Sequence, residues 1–254
     1  MEFRKTLDIQ REIWDLRAKT FPRYSPEPGN YESRMLKLAQ GIGADFSDKT
    51  VLDVGCGAGM YTLRLAKMAG FVTALDISEE MLSINEKDAK REKITNIEYL
   101  HQDWLDFNPK RKYDLIFCAM TPALQTLEGK LKVLTFRGAQ VVYFGYSKPM
   151  NNHVLNAFSE IYDLKLKPFK SAPDQRLFLE TQGVIYKTGQ LSGSWDKVLS
   201  KEDFLVNLAA VVAFQGGSLN NLELDGFLEK FSDGQGKYRE IVDYQTEVIV
   251  WTNF

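Results

Sequence analysis

The stretch from residue 50 to 69, TVLDVGCGAGMYTLRLAKMA, constrains this chain more than any other. A short apolar run, Val51 to Val54, carries one acid, Asp53, near its end. Gly55, Cys56, Gly57, Ala58 and Gly59 follow as a tight turn, and Leu63, Ala66, Met68 and Ala69 then recur at helical spacing. Strand, glycine turn and helix in that order bring backbone N–H groups close to a nucleotide-like ligand at the edge of an α/β sheet.

The rest of the first half repeats the alternation. Residues 71–75 read as a second strand ending at Asp76, and Ser78 caps a helix that runs from Met81 to about Arg91. Strands follow at 97–100, 113–118 and 139–144, with Leu124, Leu127, Leu131 and Leu134 marking the helix before the last of them. This predicts a mostly parallel sheet covered on both faces. Upstream, a helix over 8–21 leads to a loop with Pro22, Pro26 and Pro28, and a second amphipathic helix begins at Tyr31. Downstream, helices are predicted at 153–164, 175–182, 201–214 and 219–231, with a loop bounded by Pro168 and Pro173 and a closing strand at 246–251. Helix 201–214 is apolar on nearly all sides, which leaves two readings: a roof over an acceptor pocket, or a core or interface helix.

Nucleotide-binding motifs compete for the turn. A dinucleotide turn wants its third glycine where this chain has Met60, and a phosphate loop wants a Gly-Lys-Ser/Thr that does not follow. The segments VLDVGCGAG, TALDIS, LHQDW and YDLIFCAM, in order at four strand ends across residues 45–146, resemble the class I S-adenosylmethionine-dependent methyltransferases. That resemblance implies a Rossmann-like, mostly parallel seven-stranded sheet with helices on both faces. It also implies an N-terminal helical lid and a C-terminal helical insertion. The expected division is 1–44 lid, 45–190 cofactor-binding core, 191–240 helical addition and 241–254 terminal strand.

S-adenosyl-L-methionine is the cofactor the resemblance implies. Gly55, Cys56, Gly57 and Gly59 then form the turn beneath its methionine and ribose. Asp53 organises that turn and bonds the methionine amino group. Asp76 accepts both ribose hydroxyls, Ile77 packs on the adenine, and Asp103 accepts from the adenine amino group, with Asp106 as a competing acid. Trp104 stands beside the ring or in the core, and Cys118 lines the pocket or simply packs. Pairing of Cys56 with Cys118 is not expected, and two cysteines and two histidines leave little for a metal site.

Methyl transfer from a sulfonium is an in-line displacement in which the protein mainly orients the acceptor. The signature for methylating planar amino groups is missing, since the stretch after the fourth strand reads AMTPAL. Candidate acceptor-binding residues are Phe21, Tyr24 and Tyr31 in or beside the proline-rich arm, Tyr61 after the turn, and Thr121 and Tyr146 after later strands. The aromatic set has a second reading, as a loop cluster pinned to the core. His153 is the candidate base by topology.

A net charge of −2 and the lack of an overall basic footprint disfavour a nucleic-acid partner, though they leave room for a local patch. No apolar run approaches membrane-spanning length and the first residues are too charged for a secretory leader, so the expectation is a cytoplasmic monomer or homodimer. The function expected is methylation of a small molecule. Alternatives are methylation of tRNA, rRNA or protein, or cofactor binding without transfer.

Overall fold

The computed structural model describes residues 2–166, 172–220 and 222–254. In chain order these form α1 (Glu2–Ala18), α2 (Tyr31–Gly41), β1 (Thr50–Val54), α3 (Thr62–Ala66), β2 (Phe71–Asp76), α4 (Glu79–Arg91), β3 (Ile97–His101), β4 (Leu115–Ala119), α5 (Leu127–Leu134) and β5 (Gln140–Tyr146). They continue as β6 (Asn151–Asn152), α6 (His153–Tyr162), α7 (Ala172–Thr181), β7 (Tyr186–Ser200), α8 (Lys201–Phe214), α9 (Asp225–Leu228) and β8 (Lys237–Thr252). The sheet is Rossmann-like and mostly parallel, in the order β3-β2-β1-β4-β5-β8-β6, with β7 also pairing β8. Its eight strands are one more than the seven expected, and β6 is only two residues long.

The chain forms two compact units. The first comprises residues 1–145, 171–190 and 247–254, and the second 146–170 and 191–246. Residues 146–170, expected within the core, therefore join the helical addition, and strands β7 and β8 each run through the residue ranges of both units.

In the first unit, β1 pairs β2 and β4, β2 pairs β3, and β4 pairs β5, all parallel. Asn253 N donates to Ala139 O at 3.0 Å, and Ser147 N to Gln245 O at 2.8 Å, so β8 runs antiparallel to β5. The period-two alternation of strand side chains sorts the core into two layers. Leu52, Val54, Ile116, Cys118, Val141, Tyr143, Ile249 and Trp251 pack in one cluster with Val133 of α5 and with Ala172, Phe178 and Leu179 of α7. On the other face, Phe117 meets Phe46, Tyr61 and Phe144 with ring centroids 5.0–6.3 Å apart.

Helix starts are set by local chemistry. Asn30, Ser78 and Thr126 each accept a backbone N–H from the first turn of α2, α4 and α5. Pro173 does not bound a loop but occupies the first turn of α7, where its missing N–H costs no helical bond. Pro168 lies outside the described residues.

The second unit packs Val154 and Phe158 of α6, Phe204, Leu208 and Val212 of α8, and Phe227, Leu228 and Tyr238 into one core. Ser200 caps α8 as expected. Among the described residues of the helical pattern predicted over 219–231, only Asp225–Leu228 and a short 3₁₀ turn form.

Candidate functional site

The turn after β1 holds three glycines in the left-handed region, with φ of +68° at Gly55, +53° at Gly57 and +87° at Gly59. A Cβ on Gly55 would stand 2.1 Å from Thr121 Oγ1, and one on Gly59 2.4 Å from Asn85 Oδ1. A Cβ on Gly57 would meet nothing within 4 Å. The first and third glycines thus let the protein close on itself, while the middle one opens onto free space.

Asp76, at the end of β2, faces that opening. Gly57 N donates to its Oδ2 at 2.8 Å and Ser78 N to its Oδ1 at 2.9 Å. Each carboxylate oxygen has room for a second donor. Burial pushes the Asp76 carboxyl above its ordinary range, opposed by the N–H groups of Ser78, Gly57 and Ile77. Asp53, 2% exposed, accepts from Thr62 Oγ1 at 2.7 Å. Burial pushes its carboxyl up to about 7, against the pull of the Thr62 bond, and the Asp76 charge adds to the rise.

Behind the turn runs a second layer that the sequence did not single out. Asn85 Nδ2 donates to Thr62 Oγ1 at 3.1 Å and to Gly57 O at 3.4 Å, and Asn85 Oδ1 accepts from Tyr99 Oη at 3.2 Å. Asn85 ties the turn to α4, and Thr62 ties α3 to Asp53. The signal was a polar residue inside the buried stripe of α4, among Met81, Leu82 and Ala89.

The N-terminal segment reaches this region. Trp14 and Phe21 pack on Ala58 of the turn and on Met81, and Ser78 Oγ donates to Asp15 Oδ1 at 2.5 Å. Phe21 therefore stands over the turn. Tyr24 does not: it is buried with Leu63 and Ala89, its hydroxyl accepts from Lys67 Nζ at 2.9 Å, and Arg64 covers its ring. Tyr31 opens α2 and is half-buried. Tyr61 lies between Phe117 and Phe144 at 5.3 Å from each. Thr121 presses on Gly55 and accepts from Ala123 N at 3.2 Å.

Of the residues expected beside the adenine, Ile77 is half-buried and its carbonyl accepts from His101 Nε2 at 2.9 Å. Asp103 is half-buried, and its Oδ1 is engaged by Leu105 N at 2.7 Å. Trp104 takes the core alternative. It is 4% exposed, donates to Gly129 O at 3.2 Å, and stacks on Phe107 and Phe136. Cys56 and Cys118 are buried, and burial pushes both thiols well up, so neither is a nucleophile at neutral pH.

Tyr146 and His153 belong to the second unit. There His153 Nε2 pairs with Asp243 Oδ2 at 2.8 Å, and Ser194 donates to the other oxygen of Asp243 at 2.5 Å. Those bonds and one from Asn151 hold the Asp243 carboxyl down at about 2. Among the described residues, no group of three or more His, Cys, Asp or Glu is placed to hold a metal ion, and no helix is long and apolar enough to cross a membrane.

Residues 51–142, which run from β1 through the turn into the start of β5, match the family model described as "Methyltransferase domain". This segment is a methyltransferase domain. The chain is 40% identical over 72 residues to a putative methyltransferase of Geobacillus sp. (strain WCH70), a stretch covering 28% of this chain and 29% of that one. It is 31% identical over 119 residues to a ubiquinone biosynthesis O-methyltransferase of Coxiella burnetii, covering 46% and 47%. The matches thus span less than half the length of these curated relatives. Among solved structures, the YcgJ protein of Bacillus subtilis superposes with a TM-score of 0.54 at 13% identity, covering 87% of this chain and 98% of that one. Magnesium protoporphyrin IX methyltransferase from Synechocystis PCC 6803 superposes at 0.53 and 15% identity, covering 94% and 98%. These two likenesses bear on the fold.

Proposed function

We propose that the chain transfers a methyl group from S-adenosyl-L-methionine to a small-molecule acceptor. One observation carries the cofactor reading. An Asp76 carboxylate fixed by the N–H groups of Gly57 and Ser78, with room for further donors, stands beside a glycine whose Cβ position is open. A vicinal diol supplies two O–H donors for those lone pairs, and an ionised acceptor strengthens both bonds. Asp53 offers a second carboxylate, suited to an ammonium group. No lysine or Gly-Lys-Ser/Thr stands at the turn to take a phosphate, which separates this site from triphosphate loops.

When bound, the sulfonium supplies an electrophilic methyl carbon and a neutral thioether leaving group. The protein's contribution is placement. Asp76 and the Gly57 cradle fix the nucleoside end, Asp53 the amino-acid end, and Phe21 and Trp14 pack over Ala58 to exclude water from the turn. Tyr61 and Thr121 bound the cleft beside β4 and β5. His153, oriented by Asp243, is the candidate base for an acceptor that must lose a proton. The small-molecule class is supported by two partial relatives, the Coxiella enzyme and a probable cobalt-precorrin-6B methyltransferase of Methanococcus maripaludis. The acidic composition and the lack of an appended basic domain support it too.

Calorimetric titration with S-adenosylhomocysteine, S-adenosylmethionine and NAD tests the cofactor. Binding of NAD but neither adenosyl ligand would overturn the reading. Incubation of a metabolite extract with methyl-labelled cofactor tests the acceptor class, with label expected in low-mass products rather than in RNA or protein.

A further inference from the structure

Just past β3 the chain makes one short turn, residues 103–107, beside the end of β2 that carries Asp76. His101 pairs in register with Asp76, and Gln102 N donates to Asp76 O at 3.0 Å. Asp103 is the next residue. Leu105 N donates to its Oδ1 at 2.7 Å and Phe107 N to its main-chain O at 3.1 Å, which closes the turn and leaves Oδ2 for a further donor.

A turn this short does not hold itself. Fixing its backbone dihedrals costs more conformational entropy than its few local hydrogen bonds return. Two hydrogen bonds from α5 hold it instead. Lys132 Nζ donates to Leu105 O at 2.7 Å and to Phe107 O at 2.6 Å. A cation on the carbonyls that end a turn is favoured there as it is at the end of a helix. Burial pulls the Lys132 ammonium below its ordinary range, and the charges of Asp103 and Asp106 oppose that pull.

Trp104 ties the same turn to α5 by another means. Its buried ring stacks on Phe107 and Phe136, its Nε1 donates to Gly129 O, and the Lys132 ammonium lies 5.2 Å from the ring centroid. Trp104 thus anchors the turn by packing into the core. Lys132 is half-buried, and its ammonium acts on the main chain itself, on the carbonyls of the second and fourth residues after Asp103. The two anchors can therefore be perturbed separately. Trp104→Phe keeps an aromatic ring in the core, whereas Lys132→Met keeps an aliphatic stem and removes both bonds to the turn.

A carboxylate reads an exocyclic amino group only when it is held at hydrogen-bonding distance and direction. Held there, it accepts from an amino group and repels a carbonyl oxygen. Free to swing, it does neither well. We propose that Lys132 is a positioning residue for cofactor recognition: it fixes the 103–107 turn so that the Asp103 carboxylate accepts from the adenine amino group and discriminates against a 6-oxo purine. The inference rests on the S-adenosylmethionine reading, and on Asp103 as the adenine contact that the family resemblance implies. Lys132 acts through Asp103.

Calorimetry on the full chain with S-adenosylhomocysteine and its 6-oxo counterpart, S-inosylhomocysteine, tests this through the ratio of the two affinities. Wild type is expected to favour the amino form by at least about tenfold, because the oxo group leaves the carboxylate unpaired. Asp103→Asn, which can accept from one purine and donate to the other, should bring the ratio to about one. Lys132→Met should lower the ratio at least about threefold, with Lys132→Gln in its place if the methionine variant does not fold. Lys132→Arg, which keeps the charge and the donors, should restore it to within about twofold of wild type. Trp104→Phe should lower Tm without moving the ratio. A wild-type ratio in Lys132→Met beside a collapsed one in Asp103→Asn would overturn the proposal. So would equal losses in Lys132→Met and Trp104→Phe, which would mean a general loosening of the turn. A wild-type ratio in Asp103→Asn would overturn it by removing Asp103 from the adenine, with the cofactor reading intact. Wild-type protein that binds neither ligand would reject the methyltransferase reading and the proposal with it.

Discussion

Gly57→Ala separates the two jobs a glycine turn can do. At Gly57 an added Cβ meets nothing within 4 Å, so the folded protein has no contact to rearrange. The remaining cost is backbone strain: φ is +53°, and an alanine in the left-handed region costs about 1–2 kcal/mol. For a chain of this size each kcal/mol lowers Tm by roughly 2–4 °C, so the variant should fold and melt about 2–8 °C early. The new methyl group projects into the space assigned to the cofactor. Overpacking a fitted site costs about 1–3 kcal/mol, which converts to a loss of about 5–150-fold in affinity. Gly55→Ala and Gly59→Ala differ in kind. Their Cβ atoms would stand 2.1 Å from Thr121 Oγ1 and 2.4 Å from Asn85 Oδ1, so both should lose stability well beyond the strain at Gly57. Thermal melting of the three variants, with titration of S-adenosylhomocysteine into Gly57→Ala, decides the matter. A Gly57→Ala protein that binds within twofold of wild type would refute the assignment of that space to the ligand.

Three further outcomes follow from the same geometry. Asp76→Asn keeps the shape but turns an NH₂ toward either Gly57 N–H or Ser78 N–H; an unsatisfied buried donor costs about 1–3 kcal/mol, and S-adenosylhomocysteine affinity should fall about 10–100-fold with the lost charge, an unchanged affinity counting against the ribose role. The raised Asp53 carboxyl, at about 7, contributes stability that is full below its unfolded value near 4 and is lost as pH rises through 7, whereas binding of an ammonium needs the ionised form. Cofactor affinity should therefore rise up to about tenfold from pH 6 to pH 8 while ligand-free Tm moves the other way, and Asp53→Asn should flatten both, as calorimetry across that range would show. Trp104→Phe removes the bond to Gly129 O, worth about 0.5–1.5 kcal/mol, and should lower Tm while leaving S-adenosylhomocysteine affinity within twofold; a large affinity loss would return Trp104 to the adenine pocket.

The parts of this fold that were legible in the sequence are those with a buried face. Strands β1 to β5 announce themselves as apolar runs, and the helices between them as stripes, because each must cover the core. Strand β7 was nearly invisible. None of its residues from Tyr186 to Ser200 is buried, so no apolar run marks it, and it is held by pairing with β8 and by contacts such as Trp195 on Tyr244 and Ser194 with Asp243. The site was legible in the same measure. Glycines and strand-end acids have spacing that physics restricts, so Asp53, Gly57 and Asp76 could be named. Trp104 could not be placed, because what decides it, Gly129 O of α5 and Phe136 just after that helix, lies 25 and more residues later. Tyr24 likewise turns on Lys67 and Arg64, 40 or more residues away in the chain.

Hydrogen-bond accounting separates residues that hold this structure from residues poised for something else. Buried polar groups in proteins are almost always paired, so a group that is not paired is informative. Around the turn, Thr62, Asn85 and Tyr99 use their donors on one another and on the protein, which makes them supports: replacing one should cost stability and affinity together. Asp76 takes the N–H groups of Gly57 and Ser78 and has room for a further donor. The same count therefore separates two roles, scaffold and proposed cofactor contact. It predicts that stability and binding fall together in Asn85→Ala, read by thermal melting and S-adenosylhomocysteine titration of the same variant.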